Sequence, residues 1–366
     1  MSPRAKTLLQ IPQGTEGFYL NEAYIHNQVT HAINNIFHSW GYLPIETPVF
    51  DFYDIYHDCM DQSARDRCYR LVDRDGDLLM LRSDVTLFLA KQIGLAINQS
   101  RLPARICYSD TILRHENSED ISRNEFFQIG AELVGKGTIE GELEIILLLL
   151  AVIDLLEIDV FVHVGSRRVF DNLFSSMGEH LLERLRKYLL ERKFSKIAEI
   201  LKERGYPSWK KVLEILRFIG EPEEFRLLIK DLKEKSLVHQ PVLKELLYLD
   251  DICKNLEKLE KASKIRIDMS EIGTQQYHTG TAFQVYMNGI DSSIASGGRY
   301  DGLLRQFGLD CQSVGFSLLL RKIEPFLKDH RKFGMGDNIE KASGKNFEEA
   351  FKNAELKRAE GKTVTL

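Results

Sequence analysis

ARICYSDTILRHENSEDISRNEFFQIGAEL, residues 104 to 133, decides the architecture. Its two ends, Ala104 to Leu113 and Glu125 to Leu133, carry the β-branched and aromatic residues of strands, so the stretch reads as a hairpin. The connection, Arg114 to Asn124, is charged, has no Asn-Gly or Gly at a tight turn, and is longer than the roughly two to five residues usual for a hairpin. A connection of that kind suits ligand binding. Along the second strand Gln128, Gly130 and Glu132 share one face, an amide and a carboxylate with a glycine between them where a ligand can come close. Such a floor suits an ammonium or an imidazole N–H, because hydrogen bonds to charged groups are the strong ones. Arg114 and Arg123, with Glu116 between them, add planar forks that match a carboxylate or a phosphate. The same residues also fit a structural ion-pair network in a half-wet sheet.

Working upstream, Leu78 to Arg82 (LLMLR) reads as a strand and a helix starts near Asp84, which brings Arg82, Asp84 and Thr86 into a second polar cluster. Residues 21 to 39 form an amphipathic helix that stops at Gly41; His26, His31 and His38 along it lack the i, i+4 spacing of a helical metal pair. Gly41 to Tyr56 (GYLPIETPVFDFYDIY) alternates and reads as strand. Downstream come a helix over Gly141 to Glu157 and a strand over Asp159 to Val164. From Phe170 to Ser263 helix follows helix, with charges of both signs interspersed, which fits a solvated face better than an RNA-binding surface. Strands resume at Lys264 to Ile267, Thr281 to Met287, Ser292 to Ala295 and Ser313 to Leu320. Ser296 to Gly302 (SGGRYDG) has no phosphate-loop spacing; it reads equally as a tight turn or as backbone that approaches a ligand touched by Arg299 or Tyr300. The tail, from Asn346, reads as a capped helix followed by a short strand. A strand-rich unit interrupted by helices and then completed implies an α+β fold with an antiparallel sheet. The expected divisions are 1–169, a helical insertion over 170–263, the completed core over 264–330, and a tail over 331–366.

Composition removes other classes. Among 366 residues, 49 are basic and 54 acidic, a formal charge of −5, with no basic tract of the kind nucleic-acid binding uses. The longest apolar run, Ile145 to Ile153, is far short of the about 20 residues that span a membrane, and no secretory signal opens the chain, so a cytoplasmic protein is expected. Cys59, Cys68, Cys107, Cys253 and Cys311 are widely spaced without a C-x-x-C pair and read as ordinary thiols, leaving neither a disulfide framework nor a metal site.

Taken together, Leu81-Arg82-x-Asp84-x-Thr86, the Arg114-His115-Glu116 hairpin through Phe126, Gln128 and Glu132, the early Pro12-x-Gly14, and Gly297-Gly298-Arg299-Tyr300-Asp301 resemble the catalytic module of histidyl-tRNA synthetase, a class II aminoacyl-tRNA synthetase. The likeness runs in order over roughly residues 10 to 325 and includes a helical insertion where that family has one. It implies a class II synthetase-like antiparallel sheet flanked by helices. It also implies a histidine pocket: Asp84 for the α-amino group with Thr86 beside it, Arg114 for the carboxylate, Gln128 and Glu132 for the imidazole, and Tyr277 and Tyr300 near the ring. Class II synthetases pair through the segment that resembles Gly41 to Tyr56, so a homodimeric core is expected.

The departures from that family point elsewhere. Where it reads R-G-L-D-Y-Y, this chain has Gly273-Thr274-Gln275-Gln276-Tyr277-His278, so the catalytic arginine falls on Gly273. A cation preorganised at the α-phosphate is a large contribution to adenylate formation, typically several kcal/mol. Glycine supplies none. In the last class II motif the phosphate-binding arginine aligns with Lys322, beside Arg321, and Ser83 stands where proline is usual. The residues after the core are also too few for an anticodon-binding domain. This combination resembles the regulatory-subunit family of ATP phosphoribosyltransferase, paralogues of the synthetase. That likeness implies a chain with no catalytic residue, cofactor, metal or tRNA function of its own. Its partner would be a short-form catalytic subunit that joins ATP to phosphoribosyl pyrophosphate in the first step of histidine biosynthesis, with histidine as feedback effector of the hetero-oligomer. The alternative is an active histidyl-tRNA synthetase lacking its anticodon domain.

Overall fold

The computed structural model describes residues 10–12, 14–115, 124–327, 333 and 339–366. Two compact units divide the chain: Met1–Glu16 with Ile33–Leu327, and Gly17–Ala32 with Lys328–Leu366.

Helix α1 (Asn21–Ser39) leads into short strands β1 (Leu43–Pro44) and β2 (Phe50–Phe52), the helical turn α2 (Tyr53–Tyr56) and α3 (Gln62–Arg67). Gly41 to Tyr56 is therefore not one strand. Pro44 and Pro48 withhold the N–H groups a continuous ladder needs, and the apolar Tyr53 and Tyr56 bury themselves on a helical turn instead. β2 joins β3 (Arg70–Val72) and β4 (Leu78–Leu81) in a small antiparallel sheet of order β2-β4-β3. Helix α4 (Val85–Ala96) follows, capped by Asp84, whose carboxylate accepts from the Leu87 N–H at 3.0 Å.

The hairpin appears as β5 (Ala104–Leu113) and β6 (Glu125–Val134), paired antiparallel with Leu113 opposite Glu125 and Ala104 opposite Val134. Its tip, 116–123, including Glu116 and Arg123, lies outside the described residues. Next come α5 (Ile139–Leu156), β7 (Val160–Ser166), α6 (Arg167–Leu173), α7 (Glu179–Leu190), α8 (Phe194–Glu203), α9 (Trp209–Leu216), β8 (Ile219–Gly220), α10 (Pro222–Glu234) and α11 (Gln240–Lys258). β9 (Ile265–Asp268), β10 (Thr281–Met287), β11 (Ala295–Arg299), β12 (Ser313–Leu319) and α12 (Leu320–Ile323) complete the larger unit. One sheet of nine strands, ordered β1-β5-β6-β12-β11-β10-β7-β9-β8, forms its backbone. Pairing is antiparallel except at β1·β5 and β7·β9, which are parallel.

Two details differ from the sequence expectation. β8 lies inside the helical stretch and pairs with β9 at the sheet edge; two residues are too few to show alternation. Ser296 to Arg299 is strand, not turn, and the strand expected at Ser292 to Ala295 starts only at Ala295. A Cβ on Gly297 would lie 2.4 Å from the Phe283 ring, so glycine there admits a cross-sheet side chain rather than a sharp bend.

Helix α5 and the helical stretch are tied to the sheet by a buried ion pair. Arg299, 1% exposed, donates through Nε to Glu142 at 2.8 Å and also through Nη2, and Tyr248 of α11 donates to the same carboxylate at 2.9 Å. All five cysteines are buried and unbridged. Among the described residues no helix is long and apolar enough to cross a membrane.

In the smaller unit, β13 (Glu340–Lys341) pairs parallel with β14 (Val364–Thr365), and α13 (Phe347–Ala359) lies between them in sequence. Asn346 caps α13 by accepting from the Glu349 N–H at 2.9 Å. Asn346→Ala is expected to lower the stability of this helix by about 1 kcal/mol, seen as faster amide exchange over 347–359 with exchange over β5 and β6 unchanged.

Candidate functional site

Antiparallel register sets the floor of the site. Glu132 of β6 sits opposite Gly315 of β12, and Gly298 of β11 opposite Gly315 in turn. A Cβ on Gly315 would lie 1.5 Å from Glu132 Oε2. Glycine there is what lets the Glu132 carboxylate lie across the neighbouring strand.

Around that carboxylate the hydrogen bonds converge. Thr86, on the first turn of α4, donates to Glu132 Oε1 at 2.8 Å, and Tyr300, just past β11, donates to Oε2 at 2.6 Å. Tyr108 of β5 shares a 3.4 Å hydrogen bond with Thr86. Gln128, two residues from Gly130 along β6, accepts from the Val85 N–H at 3.0 Å and so fixes its amide against the start of α4. The Tyr277 hydroxyl lies 3.5 Å from both oxygens of Asp84, and its ring meets that of Tyr300 edge to face at 5.9 Å. Arg114 stacks on the Phe126 ring at 4.8 Å. The seven residues expected to hold histidine, Asp84, Thr86, Arg114, Gln128, Glu132, Tyr277 and Tyr300, thus line one open cleft of about 1460 Å³.

Burial governs the charges. Glu132, 1% exposed, is pushed up to about 8 by desolvation, with the Asp84 charge adding to the rise against the pull of its hydroxyl donors. Desolvation likewise raises Asp84 above the ordinary carboxylate range, opposed by the Leu87 N–H and Arg114. Two carboxylates that resist ionisation because of their burial are suited to a ligand bringing positive charge or N–H donors.

The position aligned with the synthetase arginine is closed. Gly273 has φ +80°, and a Cβ there would lie 2.1 Å from His278 Nδ1. The imidazole of His278 occupies the space a side chain at 273 would need. Buried there, with Arg167 nearby, its pKa is driven down to about 4, so the ring is neutral.

Other residues singled out in sequence serve the fold. Arg82, 3% exposed, donates to the Thr47 and Thr111 carbonyls at 2.7 and 3.0 Å and pairs with Asp110 at 2.9 Å. Arg299 is held by Glu142 and lies outside the cleft lining, whereas Tyr300 is in it. Lys322 and Arg321, by contrast, do line the cleft, where Lys322 donates to Ser292 Oγ at 2.8 Å and Arg321 pairs with Glu125 at 3.3 Å. Sequence reasoning missed Tyr108, whose place follows from β5 alternation once Gly130 is known to be its partner. It also missed Arg167 and Arg186 of the cleft, which no motif marks.

The sequence pattern of the histidyl-tRNA synthetase family matches residues 14–323. The chain is 28% identical over 345 residues to the ATP phosphoribosyltransferase regulatory subunit of Bacillus pumilus, covering 93% of this chain and 86% of that one. It is 28% identical over 373 residues to the protein of the same name from a Thermoanaerobacter species, covering 98% and 94%. Among solved structures, an ATP phosphoribosyltransferase regulatory subunit/histidyl-tRNA synthetase from Bacillus halodurans superposes with TM-score 0.83 at 23% identity, over 98% of this chain and 92% of that one. Histidyl-tRNA synthetase from Nostoc superposes with TM-score 0.79 at 19% identity, over 98% and 85%. Those two structures show the shared class II synthetase-like fold.

Proposed function

The chain belongs to the histidyl-tRNA synthetase family, and from that premise we propose that it is the non-catalytic regulatory subunit of an ATP phosphoribosyltransferase, with histidine as the ligand of its cleft. One observation carries the reading: the acidic floor is assembled, while the place of the family's catalytic cation is a glycine whose side-chain space His278 fills. The names of its relatives favour the same subunit over an active synthetase.

In the proposed complex, histidine sets its ammonium against Asp84, its carboxylate against Arg114, and its imidazole between Gln128 and Glu132. The partner is the short-form catalytic subunit. Histidine acts by binding one arrangement of the hetero-oligomer better than another. A coupling free energy of about 1–3 kcal/mol, typical of such effects, changes partner affinity some 5- to 150-fold, so a modest pocket is enough. The exposed Val49, Phe50 and Phe52, on and beside edge strand β2, support a homodimeric core, since an apolar strand edge favours pairing.

The proton balance gives a test. With Glu132 near 8 and free imidazole near about 6.5, one proton lies between imidazole and carboxyl at intermediate pH whether the ligand is bound or free. Below about 6.5 binding must release a proton, and above about 8 it must take one up. Histidine affinity is therefore expected to be greatest between these values and to fall about tenfold per pH unit well outside them. Calorimetric titrations from pH 5 to 9.5 check this. An affinity that rises steadily through pH 9 contradicts a protonated Glu132 in the binding step. The companion experiment is histidine-dependent exchange between ATP and pyrophosphate, which should be absent while histidine still binds.

A further inference from the structure

Arg167 begins α6, on the sheet side of the cleft, and Arg186 lies on α7 of the helical stretch; both line the cleft beyond the floor. Arg167 is 5% exposed. Its Nε donates to Asp171 at 3.1 Å, but among the described residues its buried Nη1 has no acceptor, and neither does the buried Nε of Arg186. His278 Nδ1, also in the lining, is a third buried polar atom without a partner among the described residues.

Folded proteins leave few such atoms unpaired. A guanidinium can only donate, so each needs an acceptor that the described residues do not place there. Arg186 makes no ion pair among the described residues, and Arg167 is its strongest charged neighbour, lowering its pKa together with burial; Asp171, Glu179 and Glu183 oppose this only in part. Two cations held together out of water are unfavourable unless an anion joins them. The cleft also exceeds the roughly 300–1000 Å³ of most small-molecule sites, leaving room beyond an amino acid on the floor.

We infer that Arg167 and Arg186 form an anion subsite, separate from the histidine floor, that takes the phosphate group of a small phosphate-bearing ligand. A phosphate dianion matches two guanidiniums in charge and accepts from both forks, which a single carboxylate does less well. Arg186, half-buried on the helical side, is the half of the subsite that adjusts to admit the ligand; Arg167 is the fixed half, anchored by Asp171. The subsite does not depend on what occupies the floor.

The test titrates the full chain with AMP, with ATP and with inorganic pyrophosphate at constant ionic strength, with sulfate as a control and with histidine in parallel. At least one phosphate-bearing probe should bind more tightly than sulfate. Arg186→Gln should weaken it tenfold or more, Arg186→Lys should weaken it less, and histidine affinity should stay within twofold. AMP binding without pyrophosphate binding assigns a nucleoside phosphate; pyrophosphate binding with the same loss assigns a free polyphosphate. Arg167→Lys, which keeps the charge but not the fork, gives the same ordering from the other side. Failure of every probe to bind at millimolar concentration, or binding that neither substitution changes, overturns the subsite. If histidine still binds in that case, the proposed function stands; if a phosphate binds and histidine does not, the subsite stands and the histidine reading falls.

Discussion

Replacing Glu132 with alanine should lower histidine affinity by about two orders of magnitude. The substitution removes the carboxyl proposed to face the imidazole and leaves the Thr86 and Tyr300 hydroxyls, which now donate to it at 2.8 and 2.6 Å, without that acceptor. A hydrogen bond to a charged group contributes about 1.5–3 kcal/mol, and each 1.4 kcal/mol is about tenfold in affinity. Glu132→Gln separates the loss of the titrating group from the loss of the shape. In the folded chain Glu132 titrates near 8, against an ordinary glutamate value of 4.5. Between those values the native state holds a proton that the unfolded state has released. Stability then falls as pH rises across that window and levels off above it. Glu132→Gln cannot ionise, so its melting temperature should lose that decline, while its histidine affinity drops because glutamine cannot pass a proton to imidazole. A calorimetric titration with histidine and melting curves from pH 5 to 9 read both effects. Unchanged affinity in Glu132→Ala would remove the floor from the site.

Gly273→Arg is expected to destabilise the protein by about 3 kcal/mol or more and to leave exchange between ATP and pyrophosphate absent. Two costs combine. A non-glycine residue at φ +80° carries backbone strain of about 1–3 kcal/mol, and its Cβ would fall 2.1 Å from the buried His278 ring. That ring is buried and meets the Tyr277 ring edge to face, with centroids 5.3 Å apart. Restoring the family's cation thus needs His278 changed as well. Gly273→Arg with His278→Ala, which removes the ring from that space, should recover part of the lost stability relative to Gly273→Arg alone, a non-additivity expected only for residues in contact. Thermal melts of the two single variants and the double variant measure it, and additive losses would show that positions 273 and 278 do not compete for one space.

The hairpin, the helix starting near Asp84 and the polar face of β6 could be read before any coordinates because each is written locally: alternation over Glu125 to Leu133, an apolar run after a polar break, and the spacing of Gln128 and Glu132. What the sequence hid is set by tertiary context. Arg82 and Arg299 stand beside site residues in the chain, yet Thr47, Asp110 and Glu142 pull both out of the cleft and into the fold. Glycines 297 and 298 look like a turn, but a cross-sheet ring presses on one and the Thr281 carbonyl on the other, which places them in mid-strand. Arg167 and Arg186 share no motif and sit on different helices; only packing of the helical stretch on the sheet brings them to one cleft. The resemblance to a synthetase singled out the seven residues that meet in the cleft. It could not show that His278 fills the space beside Gly273.

The most direct measurement is ATP phosphoribosyl transfer by a short-form catalytic subunit, assayed with and without this chain and with rising histidine. Turnover should be seen in the mixture and not with this chain alone, histidine should suppress it, and Glu132→Ala in this chain should remove that suppression while keeping the activation. A catalytic subunit whose rate and histidine response are the same whether or not this chain is present would contradict the account.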